Sequence, residues 1–244
     1  MKITTLGTSH GAPEKGRSCS GTLVTINGAN YLFDCGGDVE AKLMNLGISH
    51  ESVKAIFVSH MHEDHAGKLT GMIKHFLHYN ITPEHMDVFM PEENGAEILV
   101  KWCEALHMTV NEEKVSVKVI APGDIYEDEN IKVSAIATEH IQNGKFPSFA
   151  FTLRTADKKM LYTGDLACNF HDYPTILFEE KFDAVVSELV HFDVAKNLDS
   201  FMNTKTDNLI FTHMIPDKAQ MIEQMKEEFP FAVFVANDCD NFDI

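Results

Sequence analysis

The chain has 244 residues, 44% of them hydrophobic, and a formal charge of −17 from 20 basic and 37 acidic side chains. That apolar content suffices for one large core or two small ones, and no run is long and apolar enough to span a membrane. A chain this acidic is poorly suited to long contact with a nucleic-acid backbone, where affinity comes from neutralising phosphates. Nucleic acid is therefore disfavoured as a partner, although a few local cations can still hold one phosphate group. The N-terminus, Met1-Lys2-Ile3-Thr4-Thr5-Leu6, is too short and too polar for a secretory signal, so a cytoplasmic location is expected. The five cysteines (Cys19, Cys35, Cys103, Cys168, Cys239) are odd in number, scattered and without a CxxC pair. In a reducing compartment they read as free thiols. Asn80-Ile81-Thr82 matches a glycosylation sequon that has no meaning without secretion.

Taken in order, residues 2–6 read as a strand and 8–20 as a loop holding Gly11, Pro13, Gly16 and the cations Lys15 and Arg17. Strands at 21–26 and 30–33 flank Asn27-Gly28, a hairpin turn signal, so the opening is antiparallel. Residues 39–46 form a short helix stopped by Gly47. The apolar run Ala55-Ile56-Phe57-Val58 is a buried strand, and it leads directly into Ser59-His60-Met61-His62-Glu63-Asp64-His65. A helix then runs to about His78, with Leu69, Met72, Ile73, Phe76 and Leu77 on one face. Further on come a strand at 86–90, an amphipathic helix at 96–106 with the single Trp102, and β-branched strands at 115–120 and 131–137. A hairpin follows at 149–154 and 159–162, then a helix at 174–180 and buried strands at 184–186 and 209–211. A helix at 216–228 carries Pro216 at its start, and 232–235 is the last strand. No internal repeat or linker divides the chain, and strands followed by helices fit two packed sheets with helices outside.

The stretch from His60 to His65 places three histidines and an aspartate where a strand becomes a helix. On an extended segment His60 and His62 point the same way, while Asp64 and His65 come from the turn and can face a second point nearby. Imidazole and carboxylate are ligands for zinc and similar divalent ions, and this spacing suits two adjacent ions better than one. Three more apolar strands run into a polar residue at their exit: Ile136-Ala137-Thr138-Glu139-His140, Leu161-Tyr162-Thr163-Gly164-Asp165 and Ile210-Phe211-Thr212-His213. Each alone is better read as a cap or turn residue. Together they can converge on one edge.

His60-x-His62-x-Asp64-His65 resembles the signature of the metallo-β-lactamase-fold hydrolases. Leu6-Gly7-Thr8-Ser9-His10-Gly11-Ala12-Pro13 and Phe33-Asp34-Cys35-Gly36-Gly37 resemble the ribonuclease Z and phosphodiesterase branch of that superfamily, and the resemblance spans nearly the whole chain. It implies an α+β protein folded as a four-layer αβ/βα sandwich, one domain over 1–244, with a metal site at one edge between the two sheets. It further implies that His60, His62 and His140 hold one divalent ion, that Asp64, His65 and His213 hold another, and that Asp165 bridges them. Zinc is the expected metal, with manganese or iron acceptable to the same donors. A water or hydroxide between two such ions becomes a nucleophile near neutral pH, and Asp64 can both ligate and orient it. Asp34 is expected behind a histidine ligand, fixing its tautomer; a cap on the Gly36-Gly37 bend is the competing role. His191, after Glu188, is a candidate general acid, although the family's histidine usually lies further along; a plain surface histidine is the simpler role. The zinc β-lactamases depart from this pattern at the positions of His65 and Asp165, so antibiotic hydrolysis is not expected.

Phosphodiester hydrolysis of a small phosphate ester or nucleotide is the reading these motifs favour. Lys15, Arg17 and Lys145 are candidate anion binders, solvated surface charge being the simpler role for each. The ribonuclease Z enzymes, which process the 3′ ends of transfer RNA, carry an extended arm for RNA, often between the metal-ligand histidine and the bridging aspartate. Here only 24 residues, 141–164, separate His140 from Asp165, room for two short strands, which counts against transfer-RNA processing. Hydrolysis of a thioester or lactone and a non-catalytic role as a metal-bound sensor also compete with the phosphodiesterase reading. His10 could line the cleft, a structural role fitting better. Met221 and Met225 could belong to the core or to a homodimer surface, and the core fits better.

Overall fold

The computed structural model describes residues 1–77 and 84–244; the sequon at Asn80 and the expected helix end near His78 lie outside them. The first half contains β1 (Lys2–Gly7), β2 (Gly21–Ile26), β3 (Ala29–Phe33), α1 (Val39–Asn45), β4 (Val53–Phe57), α2 (Glu63–Ala66), α3 (Leu69–Leu77), β5 (Met86–Met90), α4 (Glu93–Ala105) and β6 (Val115–Val119). The second contains β7 (Gly123–Glu127), β8 (Lys132–Thr138), β9 (Ser148–Arg154), β10 (Lys159–Tyr162), α5 (Ile176–Glu179), β11 (Phe182–Leu189), α6 (Val194–Met202), β12 (Thr206–Met214), α7 (Pro216–Met225), β13 (Ala232–Val235) and β14 (Asn241–Asp243). Among the described residues these strands make two seven-stranded sheets, ordered β14-β1-β2-β3-β4-β5-β6 and β13-β12-β11-β10-β9-β8-β7. In each sheet a hairpin portion passes into a parallel one: β3 to β6 are parallel, as are β10 to β13.

Alternation along the strands builds the four layers. Val24, Tyr31, Phe33, Ala55, Phe57, Phe151, Met160, Tyr162, Ala184 and Val186 meet between the sheets. Their neighbours Leu23, Leu32 and Ile56 face the helices of the first sheet, and Leu161 and Val185 face those of the second. Strands buried on both faces read as continuous apolar runs, which is why these were legible. Phe57 lies at the centre of the inter-sheet layer, with ring centroids 5.2 Å from Phe33, 5.1 Å from Phe89 and 5.9 Å from Phe151. The Asn27-Gly28 turn has φ of 51° and 85°, the positive pair that a two-residue hairpin turn of this hand requires.

Four expectations are corrected. The helix after the histidine motif is two helices: Gly67 and Lys68 interrupt it, because the Lys68 N–H donates to the Cys35 carbonyl at 2.9 Å and turns the chain. Residues 232–235 are not the last strand, since β14 pairs antiparallel with β1 through Lys2↔Asp243 and Thr4↔Asn241. Strand β7 escaped notice because it is a largely exposed edge strand with no apolar alternation. Helix α6 was also missed, although Asp193 accepts from the Ala195 and Lys196 N–H groups at its start, an N-cap signal. Met221 and Met225 lie partly buried against the layer between the second sheet and its helices, a packing role. All five cysteines are free, and no helix among the described residues is long and apolar enough to cross a membrane.

Replacing Phe57 by alanine removes the ring that joins the two sheets. The expected cost is about 3–5 kcal/mol of folding stability, read from urea unfolding; a loss well under 1 kcal/mol would show that the sheets do not depend on this contact.

Candidate metal centre

Strands running the same way end at the same edge, and residues just beyond those ends gather there. Beyond β4 the chain gives His60 and His62, and α2 opens so that Asp64 and His65 fall in its first turn. The first sheet is brought close by Gly36: a Cβ there would lie 1.6 Å from the Asp64 carbonyl oxygen, so no other residue permits this approach. His140 follows β8 and Asp165 follows β10. His213 sits at the end of β12 with φ of 41°, a left-handed conformation costing on the order of 1–3 kcal/mol in a non-glycine residue. His191 follows β11.

All of these residues meet. Around Asp165 Oδ2 stand the Nε2 atoms of His65 at 3.4 Å, His213 at 3.4 Å, His60 at 3.6 Å and His140 at 3.6 Å, and His191 Nδ1 at 3.7 Å. His62 Nδ1 lies 2.9 Å from His60 Nε2 and 3.4 Å from His140 Nε2. Asp64 Oδ2 lies 3.4 Å from His65 Nε2 and 3.8 Å from His213 Nε2. The donors fall into groups, His60–His62–His140–Asp165 and Asp64–His65–His213, with Asp165–His191–His213 a third, each having its ligand atoms within 4.8 Å of one another.

Apart from the 2.9 Å His60–His62 contact, these separations are too long for good hydrogen bonds, yet two donors bound tetrahedrally to one zinc ion at about 2.0–2.1 Å stand roughly 3.3 Å apart. Two atoms at the centre, His65 Nε2 and Asp165 Oδ1, are buried without a hydrogen-bond partner. Buried polar atoms are rarely left so. Donor chemistry, spacing and orphaned atoms all fit divalent cations held between these side chains.

Each imidazole except the exposed His62 is anchored through Nδ1, which in His60, His65, His140 and His213 turns Nε2 inward. His65 Nδ1–H donates to Asp34 Oδ2 at 2.7 Å, and His60 Nδ1–H donates to Ser59 Oγ at 3.0 Å. His140 uses the Leu166 carbonyl at 3.0 Å, His213 the Ser9 carbonyl at 2.9 Å, and His191 the Glu188 carboxylate at 2.9 Å. Asp34 also accepts from the Ser59 N–H, the Ser59 hydroxyl and the Tyr162 hydroxyl. The Gly36 N–H goes instead to the Ser20 carbonyl, so Asp34 backs the histidines and does not cap the bend. Glu188 is a second hub: its oxygens accept from the Leu166, Val190 and His191 N–H groups as well as the His191 ring.

Electrostatics follow from this packing. Burial depresses His60 well below its usual range, which keeps the ring neutral and able to ligate. Burial opposes charge on His65 too, but Asp165 and Asp34 outweigh it and hold the ring well above the ordinary value. Burial likewise works against the Asp165 carboxylate, yet His213, His65 and His60 keep it ionised far below the usual carboxylate range. For His191, burial is outweighed by the Glu188 carboxylate, which lifts the imidazole to about 9.

The remaining sequence candidates are not among these donor groups. His10 pairs with Glu14 at 3.2 Å. Arg17 donates to Asn237, Lys145 lies over the Phe146 ring, and Lys15 is exposed. Sequence reasoning missed Ser59, Tyr162 and the backbone acceptors of Ser9 and Leu166, and named Glu188 only as a neighbour of His191. Glu188 ends an apolar strand as Asp165 follows one, a signal that could have found it; backbone carbonyls leave none.

Fold and cluster together define the class: proteins of the metallo-β-lactamase fold, in the ribonuclease Z and phosphodiesterase-like branch. Within it the chain belongs to the family of the Anti-Pycsar protein Apyc1, whose model matches residues 1–231. It is 27% identical over 169 residues to ribonuclease Z of Acaryochloris marina, covering 68% of this chain and 52% of that protein. It therefore spans about half the length of the curated relatives it matches. The crystal structure of human tRNase Z, short form, superposes with a TM-score of 0.80 at 19% identity, covering 100% of this chain and 99% of that one. A diphosphatase from the PhnP family superposes with a TM-score of 0.74 at 15% identity, covering 100% and 97%.

Asp34→Asn removes the charge behind His65 and part of the support for Ser59. Zinc affinity, measured by titration against a chromophoric chelator, is expected to fall about 10- to 100-fold; unchanged affinity would mean that Asp34 only braces the fold.

Proposed function

We propose that the protein is a dinuclear metal-dependent phosphodiesterase acting on a small phosphate ester or nucleotide. The observation that carries this is the convergence of His and Asp donors on Asp165, with His191 at the rim. In this reading His60, His62 and His140 hold one ion, Asp64, His65 and His213 the other, and Asp165 both, in keeping with the donor groups. Zinc suits the donors best, and manganese or iron are accepted by the same set. Bound there, such ions supply an ionised water near neutral pH and neutralise charge developing on phosphoryl oxygens.

The chain's own groups do the rest. Asp64 Oδ2, only slightly exposed, orients the attacking water and accepts its hydrogen bond. Glu188 holds the His191 ring through Nδ1 and favours its protonated form. Nε2–H is thereby left to donate a proton to the departing oxygen, the task of a general acid. The side chain of His191 is 27% exposed, within reach of a substrate as well as of the cluster.

Three features support a small substrate. The charge of −17 resists a long polyanion. The residues between His140 and Asp165 are taken up by β9, β10 and short connections, where an RNA-binding arm would otherwise be inserted. The similar PhnP-family structure is that of a diphosphatase. Against the exclusion of nucleic acid stand the ribonuclease Z relatives and human tRNase Z, so endonucleolytic processing of transfer RNA is the second reading. A cytoplasmic setting fits the five free thiols.

The test is a substrate panel with zinc or manganese: bis-p-nitrophenyl phosphate, a dinucleotide, a cyclic mononucleotide, a thioester, a lactone and a precursor transfer RNA. Turnover of the small diesters is expected. Cleavage of only the transfer RNA, or of only the thioester or lactone, would replace this reading, and silence on all with metal bound would favour the sensor. His191→Ala is expected to slow diesters with alkoxide leaving groups by about 10²- to 10⁴-fold. The p-nitrophenyl ester should be largely spared, because its leaving group departs without a proton. Equal losses on both would remove His191 from the role of acid.

A further inference from the structure

We infer that Asp238 is a positioning residue for the Asp64–His65–His213 group, acting through the N-terminal loop. The inference rests on the metal reading above. Asp238 lies outside residues 1–231 matched by the family model, and its side chain is only 8% exposed. Oδ1 accepts from the Thr8 N–H at 2.9 Å and the Thr8 hydroxyl at 2.7 Å. Oδ2 accepts from the Ser18 N–H at 2.7 Å and from the Lys42 ammonium. One carboxylate thus ties both ends of the 8–18 loop to α1, and Lys42 also donates to the Leu6 carbonyl.

The loop in turn touches the cluster. Thr8 and Ser9 run beside the end of β12, where Ser9 bridges to Met214 and the Met214 N–H donates to the Thr8 carbonyl at 3.1 Å. The Ser9 carbonyl receives His213 Nδ1–H, and the Ser9 N–H donates to the Ser18 carbonyl at 2.9 Å. The left-handed backbone of His213 gains support from the same neighbours. A path of hydrogen bonds therefore runs from Asp238 through Thr8 and Ser18 to Ser9 and into the one imidazole of this group that no side chain orients. His65, by contrast, is oriented by Asp34. The segment carrying Asp238 is anchored without its carboxylate: the Thr5 hydroxyl donates to the Asn237 carbonyl, and the Cys239 N–H donates to the Thr5 carbonyl. Loss of the carboxylate should free the loop while leaving the tail in place.

The metal-free wild type and the variants Asp238→Asn, Asp238→Ala and Lys42→Met are titrated with Zn²⁺ against a chromophoric chelator, and their thermal unfolding is followed without metal. In both Asp238 variants one Zn²⁺ is expected to bind as in wild type and the other about 10- to 100-fold less tightly. Lys42→Met keeps the Thr8 and Ser18 bonds, so both of its affinities should stay within a few-fold of wild type even if it unfolds at a lower temperature. That ratio of affinities is what a merely structural role would not move. Unchanged affinities, or equal weakening of both ions, in the Asp238 variants would overturn the inference and leave the metal reading standing. A wild type that takes up no Zn²⁺ overturns both. Should the alanine variant fail to fold, the asparagine variant, which keeps the volume and one acceptor oxygen, decides.

Discussion

A single carboxylate oxygen, Asp165 Oδ2, has five imidazole nitrogens between 3.4 and 3.7 Å from it, and its companion Oδ1 is buried with no hydrogen-bond partner. Such a group costs several kcal/mol to bury unless positive charge accompanies it. The rest of the molecule is arranged to tolerate this centre. Two sheets bring their strand ends to one edge, anchoring bonds turn most of the rings inward, and the side chains of Asp34 and Glu188 are themselves saturated with donors. Anchoring of this kind fixes the donors in place before any ligand arrives.

The centre exists only where the halves of the chain meet. The first sheet contributes His60, His62, Asp64 and His65 through the exit of β4, and the second contributes His140, Asp165, His191 and His213. Tyr162 shows how closely packing and chemistry are joined. Its ring lies 5.6 Å from that of Phe33 in the inter-sheet core, and its hydroxyl donates to Asp34. Sliding one sheet on the other would disturb the core and the tautomer of His65 together.

At the rim of the site Glu188 does for His191 what Asp34 does for His65 on the floor. The floor rings are oriented by carbonyls, Ser59 and Asp34; burial pushes His60 toward neutrality, while Asp165 and Asp34 favour the protonated His65 ring. At the rim Glu188 favours the protonated His191 ring. The same carboxylate accepts from the Leu166 N–H while the Leu166 carbonyl orients His140. One carboxylate therefore supports both the His191 ring and the segment whose carbonyl orients His140.

The sequence by itself determined the chemistry and most of the strands. Continuous apolar runs at β4, β10, β11 and β12 declare burial on both faces, and a polar ligand type at or just beyond their ends is a local signal. Elements whose residues answer to distant partners were illegible. β7 and β14 are short, polar edge strands that exist because β8 and β1 offer them hydrogen bonds, and the break before α3 exists because Cys35 takes the Lys68 N–H. Only the tertiary structure decided between a capping and an anchoring Asp34, brought His191 into the cluster, and revealed Ser9, Leu166 and Asp238. The physical reason is that metal-ligand chemistry resides in side-chain identity, which a sequence states, whereas orientation resides in hydrogen bonds to backbone groups and to residues up to 230 positions away, which only the folded chain brings together.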